Sequence, residues 1–303
     1  MRLIKPSIEI LEQEPGIEGI HKQIEKAGRT AYKSENYITE GSAEKFVNMI
    51  KNKNHGACLE HGTVYLLCKD SLFILIGEKY ENNKYSNVVW HEFAPGHRTA
   101  VYITTNYRVL YENNWLDDLQ YLCEPTEYHE KRITVKFILP ISISREFLRH
   151  RIFSFMEMST RYCNFNKEKF NNEITFIIPY WSSLKEARYV YWDGDYVEDT
   201  TPESLPHTIL KHVVGDNDDV FLSVCENAEL CYKQLINSGR TPQEAREVLP
   251  LCTKTELIMT GTIEQWKGFF KLRSSLYGAI GAHPQAAELA DKLYIQFKEK
   301  NYI

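Results

Sequence analysis

The chain has no uninterrupted apolar run near the roughly 18 to 20 residues that a membrane helix needs, so no transmembrane span is predicted. Its opening, Met1-Arg-Leu-Ile-Lys-Pro, has no apolar core and no small-residue cleavage site, which predicts no secretion signal. None of the seven cysteines (58, 68, 123, 163, 225, 231, 252) stands in C-x-x-C spacing, so neither a zinc knuckle nor a redox pair is indicated. Reduced thiols in a cytosol are the expectation. There is no internal repeat and no low-complexity segment. Nor is there a basic excess: Lys plus Arg is 36 against 41 for Asp plus Glu, a net charge of −5. That argues against a nucleic-acid polymer as partner, while leaving room for a local basic pocket that takes a small anion.

What remains is an ordinary soluble composition, 43% hydrophobic and 25% charged over 303 residues, enough to bury a core without staples. Aromatic content of 13% makes stacking on a planar ligand feasible without specifying one. The first 55 residues read mostly as helix, from Ile17, Ile20, Ile24 and Ala27 and then Phe46, Met49 and Ile50 after Gly41-Ser42. Val64-Tyr-Leu-Leu, Phe73-Ile-Leu-Ile, Ile133 to Leu139 and Ile174-Thr-Phe-Ile-Ile read as strands. Helices are expected from Val220 to Asn237, capped by Gly239, from the capping box Thr241-Pro-Gln-Glu244, from the second box Thr262-Ile-Glu-Gln265 through Tyr277, and from Pro284 onward. Residues 70–131 and 181–218 read as insertions in a single domain spanning 1–303.

Chemistry-bearing residues concentrate between Arg145 and Tyr162. Four arginines and a histidine fall within 17 residues of an acidic chain. Adjacent cations repel, so Arg149-His150-Arg151 calls for an anion or several acceptors. Guanidinium forks match phosphate and carboxylate, and Ser159 and Thr160 add hydroxyl donors beside Arg161. On a continuous helix, His150, Ser154, Glu157 and Arg161 would share one face. The plainer reading is a solvated helix face with Arg151 or Arg161 paired to Glu157. Phe147, Leu148, Ile152, Phe153 and Phe155 weaken it, because a partly buried arginine needs partners.

R-H-R-x-x-S followed by E-x-S-x-R (Arg149, His150, Arg151, Ser154, Glu157, Ser159, Arg161) resembles the signature of the flavin-dependent thymidylate synthases. His55-x-x-x-x-Glu60-His61, Arg246-Glu-Val-Leu-Pro and Leu272-Arg273, ten residues before His283-Pro284, resemble further motifs of that family, and together they cover about two thirds of the chain. The resemblance implies an α/β (mixed α+β) fold, with an antiparallel or mixed sheet core and flanking helices. It implies a cytoplasmic homotetramer whose sites are shared between subunits. The implied reaction takes dUMP to dTMP with 5,10-methylenetetrahydrofolate as carbon donor, NADPH as reductant and bound FAD. The implied FAD positions are His55, Ala57, Arg149, His150, Arg151, Ile152, Glu157, Thr262, Glu264 and Gly268. The implied nucleotide positions are Glu146, Arg149, Glu157, Met158, Ser159, Thr160, Arg161, Arg246 and Arg273. Arg273 is the implied catalytic group, favouring ionisation of the pyrimidine at N3. Met156 stands where the family signature has Asn, Glu146 replaces a frequent Gln, and Thr262 and Gly268 occupy positions where Asn is common.

The remaining candidates read more plainly. H-x4-E-H lacks the H-E-x-x-H spacing that puts two histidines on one helix face, so no metal is predicted. Cys58 and Cys163 read as small buried residues, and Trp266, Phe269 and Phe270 as core. Taken alone, Arg246 reads as an ion pair with Glu244 or Glu247. Alternatives to methylation are dUMP hydroxymethylation on the same scaffold, a silent nucleotide-binding protein and, more distantly, a metal-dependent phosphohydrolase.

Overall fold

A computed structural model describes residues 1–192, 195–198 and 216–303, with side chains described outside 190–198. The acidic stretches around Asp193 and from Asp199 to Gly215 lie outside the described residues. In chain order the strands are β1 (Arg2–Ile4), β2 (Ser7–Leu11), β3 (Thr63–Cys68), β4 (Asn87–Ala94), β5 (His97–Asn106), β6 (Arg132–Pro140), β7 (Ser154–Glu157), β8 (Thr175–Ile177), β9 (Ala187–Trp192), β10 (Asp195–Glu198) and β11 (Lys254–Thr262). The helices are α1 (Gly16–Tyr32), α2 (Ser42–Asn52), α3 (Phe73–Glu81), α4 (Tyr107–Glu112), α5 (Ile141–Phe147), α6 (Asn217–Asn237), α7 (Pro242–Ala245), α8 (Ile263–Arg273) and α9 (Pro284–Glu299). This is the expected mixed α/β fold.

The central sheet is antiparallel, in the order β2-β6-β11-β7. Alternation along β6 sends Ile133, Val135, Phe137 and Leu139 to one face, where they pack with Leu257 and Met259 of β11 against α8 and α9. Trp266, Phe269 and Phe270 are fully buried there, as expected, and the Trp266 indole N–H donates to the Ile133 carbonyl at 3.1 Å. Gly261 is required beside them, because a Cβ would stand 2.4 Å from the Phe153 ring. A mixed sheet β10-β9-β1-β8 and an antiparallel sheet β3-β5-β4 complete the fold. The β4–β5 hairpin and α3, within residues 70–131, share a core with α1 and α2 through Val88, Trp90, Val101, Ile103 and Ile76.

Several local expectations hold. Both capping boxes form, with Pro242 at the start of α7. Gly239 (φ 92) follows α6, and α9 begins at Pro284. Cys58 and Cys163 are buried thiols.

Others fall. Phe73 to Ile76 open a helix rather than a strand, since four apolar residues carry no period and Ile76 and Tyr80 bury on one helical face. The first 55 residues contain β1 and β2 besides the two helices, and β2 is recruited by pairing with β6. β11 went unread, because its polar face interrupts the apolar run. The helix after Thr262 ends at Arg273, where Ser274 turns extended and a short 3-10 turn follows.

Candidate active site

The arginine-rich segment is not one helix. α5 stops at Phe147, residues 148–153 form a turn, and 154–157 become β7 on the free edge of β11, with Glu157 opposite Leu257 and Ser154 opposite Thr260. Strand alternation replaces the helical face, so His150, Ser154, Glu157 and Arg161 are not stacked together. The four-residue strand separates two groups by about 13 Å of extended chain.

Before it lies a paired group. Arg273, at the end of α8, donates from Nη1 to Glu146 Oε2 at 2.5 Å and from Nη2 to the Glu146 carbonyl at 3.1 Å. Its Nε donates to His150 Nε2 at 3.2 Å. The imidazole also packs against Phe269, with ring centroids 5.1 Å apart. Burial, and then the Arg273 charge, pushes His150 down to about 4, so at neutral pH it is uncharged and free to accept. Arg273 is largely shielded from solvent, at 17% exposure.

After β7 lies a looser group. Arg161 Nε donates to Gln243 Oε1 at 3.1 Å, and its backbone N–H donates to Ser159 Oγ at 3.3 Å. Arg246 Nη1 reaches Thr160 Oγ1 at 3.5 Å, and its Nε lies 3.7 Å from Glu247 Oε1. The side chains of Arg161 and Arg246 are exposed, and Arg161 has no carboxylate partner among the described residues. The Arg151 or Arg161 pairing to Glu157 is absent. Glu157 instead accepts from Ser144 Oγ at 2.5 Å and Thr255 Oγ1 at 3.2 Å. Burial raises its carboxyl, offset in part by those two hydroxyls and by Arg145.

A cavity of about 740 Å³ opens at the Arg132 end of the sheet, lined among others by Arg151, Ile152, Ser154, Thr262 and Gln265. It brings three of the implied cofactor positions together: Arg151, Ile152 and Thr262. The size suits a large anionic cofactor, as does Arg151, which has no ion pair among the described residues, and Gly268 has open space above its Cα. Arg149, His55 and Ala57 are exposed outside this cavity, Glu264 pairs with Lys267 at 2.6 Å, and the Met158 side chain is buried in a core shared with Leu3 of β1, Phe176 of β8 and Leu222 of α6. Only the main chain of Met158 is left to face a ligand.

His61 is a structural residue. It is buried, bonded through Nδ1 to Thr260 Oγ1 at 2.8 Å, and pushed down to about 3 by burial and then by Arg132. Glu60 accepts from Arg108 at 2.6 Å. Among the described residues no group of three His, Cys, Asp or Glu side chains is placed to hold a metal. Sequence reading missed Ser144, Gln243, Arg132 and a buried ionic knot. In that knot Glu256 is contacted by Lys33 (2.7 Å), Lys136 (2.6 Å) and Lys254. Burial alone would raise the Glu256 carboxyl, but the three ammonium groups hold it well below the usual carboxylate range. An unread strand, β11, carries Thr255 and Glu256, so no sequence signal pointed to them.

These groups define a mixed α/β protein with one shielded arginine and one open arginine pair on either side of a short edge strand. Residues 125–301 match the model of the family described as thymidylate synthase complementing protein, and the chain belongs to that family. Curated relatives named flavin-dependent thymidylate synthase come from Pyrococcus furiosus (30% identical over 132 residues, 43% of this chain and 41% of the relative), Thermosipho africanus (29% over 161 residues, 53% and 60%) and Pyrococcus abyssi (27% over 130 residues, 43% and 41%). The chain thus spans about 41% to 60% of the length of the curated relatives it matches. Two solved structures of a UMP/dUMP methylase, PolB from Streptomyces cacaoi, bound with 5-Br UMP and 5-Br dUMP, align over 99% of this chain and 92% and 93% of theirs, at TM-scores of 0.43 and 0.41 and 16% and 18% identity.

Proposed function

We propose that this chain is a flavin-dependent thymidylate synthase, converting dUMP to dTMP with methylenetetrahydrofolate as carbon donor and NADPH as reductant. FAD, when bound, would supply hydride transfer. Arg151, Ile152 and Thr262 would hold it from the walls of the cavity, with Gly268 leaving room beside α8.

The residues of the chain do the electrostatic work. Negative charge develops on the pyrimidine oxygens and N3 during carbon transfer at C5. Arg273 would stabilise that charge where it forms, since a guanidinium stays protonated at every relevant pH. Glu146 and His150 fix its plane through three hydrogen bonds, so little reorganisation remains at the moment of reaction. Neutral His150 holds the Nε edge without adding repulsion. Glu146 adds a counter-charge that the usual glutamine would not, and so tempers Arg273. Arg161, Arg246 and the hydroxyls of Ser159 and Thr160 would receive the 5′-phosphate.

The observation that carries this reading is convergence. Arg273 lies 123 residues from His150 in sequence, and the two are hydrogen-bonded. Leu272, Leu276 and Ile280, beside that arginine, are 61%, 56% and 100% exposed, which fits subunits of a homotetramer closing over the site. The free cysteines among the described residues fit a cytosolic location.

Forming a C5–carbon bond must expel the C5 hydrogen. Tritium release from dUMP labelled at C5 is therefore expected when flavin, NADPH and methylenetetrahydrofolate are all present. Release that persists without the folate, or no release with flavin bound, would sink the reading.

A further inference from the structure

The large cavity has a second wall that the proposed reaction does not use. Asn83 to Asn87 and Thr104 to Asn113 contribute most of it, and these residues precede the segment that matches the family. On the opposite side β6 begins at Arg132, paired in register with Thr262 of β11. The Arg132 guanidinium is partly buried and makes no ion pair with any described carboxylate. Its N–H groups reach only neutral acceptors: Glu60 O at 3.1 Å, Thr63 Oγ1 at 3.3 Å, and Thr105 O and Ser154 Oγ at 3.4 Å. Charge-assisted bonds to an anion are shorter, about 2.7–2.9 Å. Of the three carboxylates on the cavity wall, Glu60, Glu112 and Glu130, the first two are both engaged by Arg108. That leaves Arg132, Lys84 and Arg151 facing Glu130 alone. Glu60 and Glu130 attract the Arg132 charge without forming an ion pair with it, so burial still costs more than they return, and an anion in the cavity would offset that cost.

We propose that Arg132 is the floor of an anion-binding subsite, in which a small molecule places a phosphate or carboxylate on Arg132 with Lys84 and Arg151 on the flanks. Tyr85, 63% exposed and lining the same cavity, offers a ring against which a planar part of that ligand can stack. The subsite joins Lys84 and Tyr85 of the 83–113 wall to Arg132 and Arg151 on the opposite side. It shares Arg151 with the proposed cofactor wall, but its test reads anion binding and not turnover, so the two readings can fail separately.

The test is calorimetric titration of sodium pyrophosphate, and separately of tricarballylate, into the purified protein at fixed ionic strength, with flavin absorbance followed in parallel. Saturable binding of at least one probe is expected. It should weaken at least tenfold in Arg132→Met, less in Arg132→Lys, and about threefold in Lys84→Ala. Preference for pyrophosphate or for tricarballylate assigns the group as phosphate or carboxylate. Displacement of flavin by the probe would identify the anion on Arg132 as the cofactor's own phosphate, and flavin retention would identify a second ligand. Should Arg132→Met not fold, Arg132→Lys and Lys84→Ala decide the matter. No saturable binding of either probe to the unaltered protein, or unchanged affinity in these variants, would overturn the proposal.

Discussion

The two arginine groups flanking β7 contain the same side chain in opposite states. Arg273 is shielded, and each of its nitrogens is already bonded, to Glu146 or to His150. Arg161 and Arg246 are exposed and loosely held, by Gln243, Thr160 and a 3.7 Å approach to Glu247. A fixed guanidinium in a dry environment suits charge that appears only in a transition state, where preorganisation matters most. A loose, hydrated pair suits a charge the ligand carries throughout, such as a phosphate, which can displace weak partners at little cost. On the proposed function, one residue type would serve chemistry in one group and anchoring in the other, with burial making the difference.

That contrast can be broken in several places. Removing the shielded arginine should have the largest effect. Arg273→Ala is expected to lower turnover by about 10²- to 10³-fold with flavin retained, the scale of losing a preorganised donor. Near-normal turnover would erase the distinction. Arg161→Ala should instead weaken dUMP binding by about 1.5–3 kcal/mol, as for other charge-assisted bonds, with kcat at saturation little changed. A titration showing unaltered dUMP affinity would remove Arg161 from the anchor.

Acid should damage the shielded side first. His61 and His150 have folded pKa values near 3 and 4, below the ordinary value of 6.5. The unfolded chain therefore takes up their protons first. Stability is fully present above about 6.5 and falls as pH drops toward those folded values. For His61 alone the loss between pH 7 and 5 is about 2 kcal/mol, at a limiting slope of about 1.36 kcal/mol per unit. Urea unfolding at pH 7 and pH 5 checks this, and equal stabilities would contradict the burial argument. The smallest effect concerns the cofactor side. Gly268 lies inside α8 with open space above its Cα, so Gly268→Ala should raise stability by about 0.5–1 kcal/mol through helix propensity. A loss in thermal melting would mean that something does pack there.

Much of this was legible where the signal is local. The capping boxes at Thr241 and Thr262, the alternation of Ile133 to Leu139 and the clustered arginines each carry their meaning within a few residues. The pairing of Arg273 with Glu146 and His150 was not legible, because it joins the ends of two helices 127 residues apart. The helical reading of His150 to Arg161 failed for a non-local reason as well: the open edge of β11 takes residues 154–157 as a strand. β11 itself was hidden because its polar face holds Glu256, which is stable in the interior only through lysines from α1's end, β6 and β11. Arg132 gave no sequence signal, since its set of neutral hydrogen-bond acceptors appears only when β3, β5 and β7 surround it.

The most direct measurement is the mass of the nucleotide formed from dUMP by the purified protein with FAD, NADPH and methylenetetrahydrofolate. The account predicts dTMP, formed at a rate that collapses in Arg273→Ala. A hydroxymethylated nucleotide, or unchanged dUMP with flavin still bound, would contradict it.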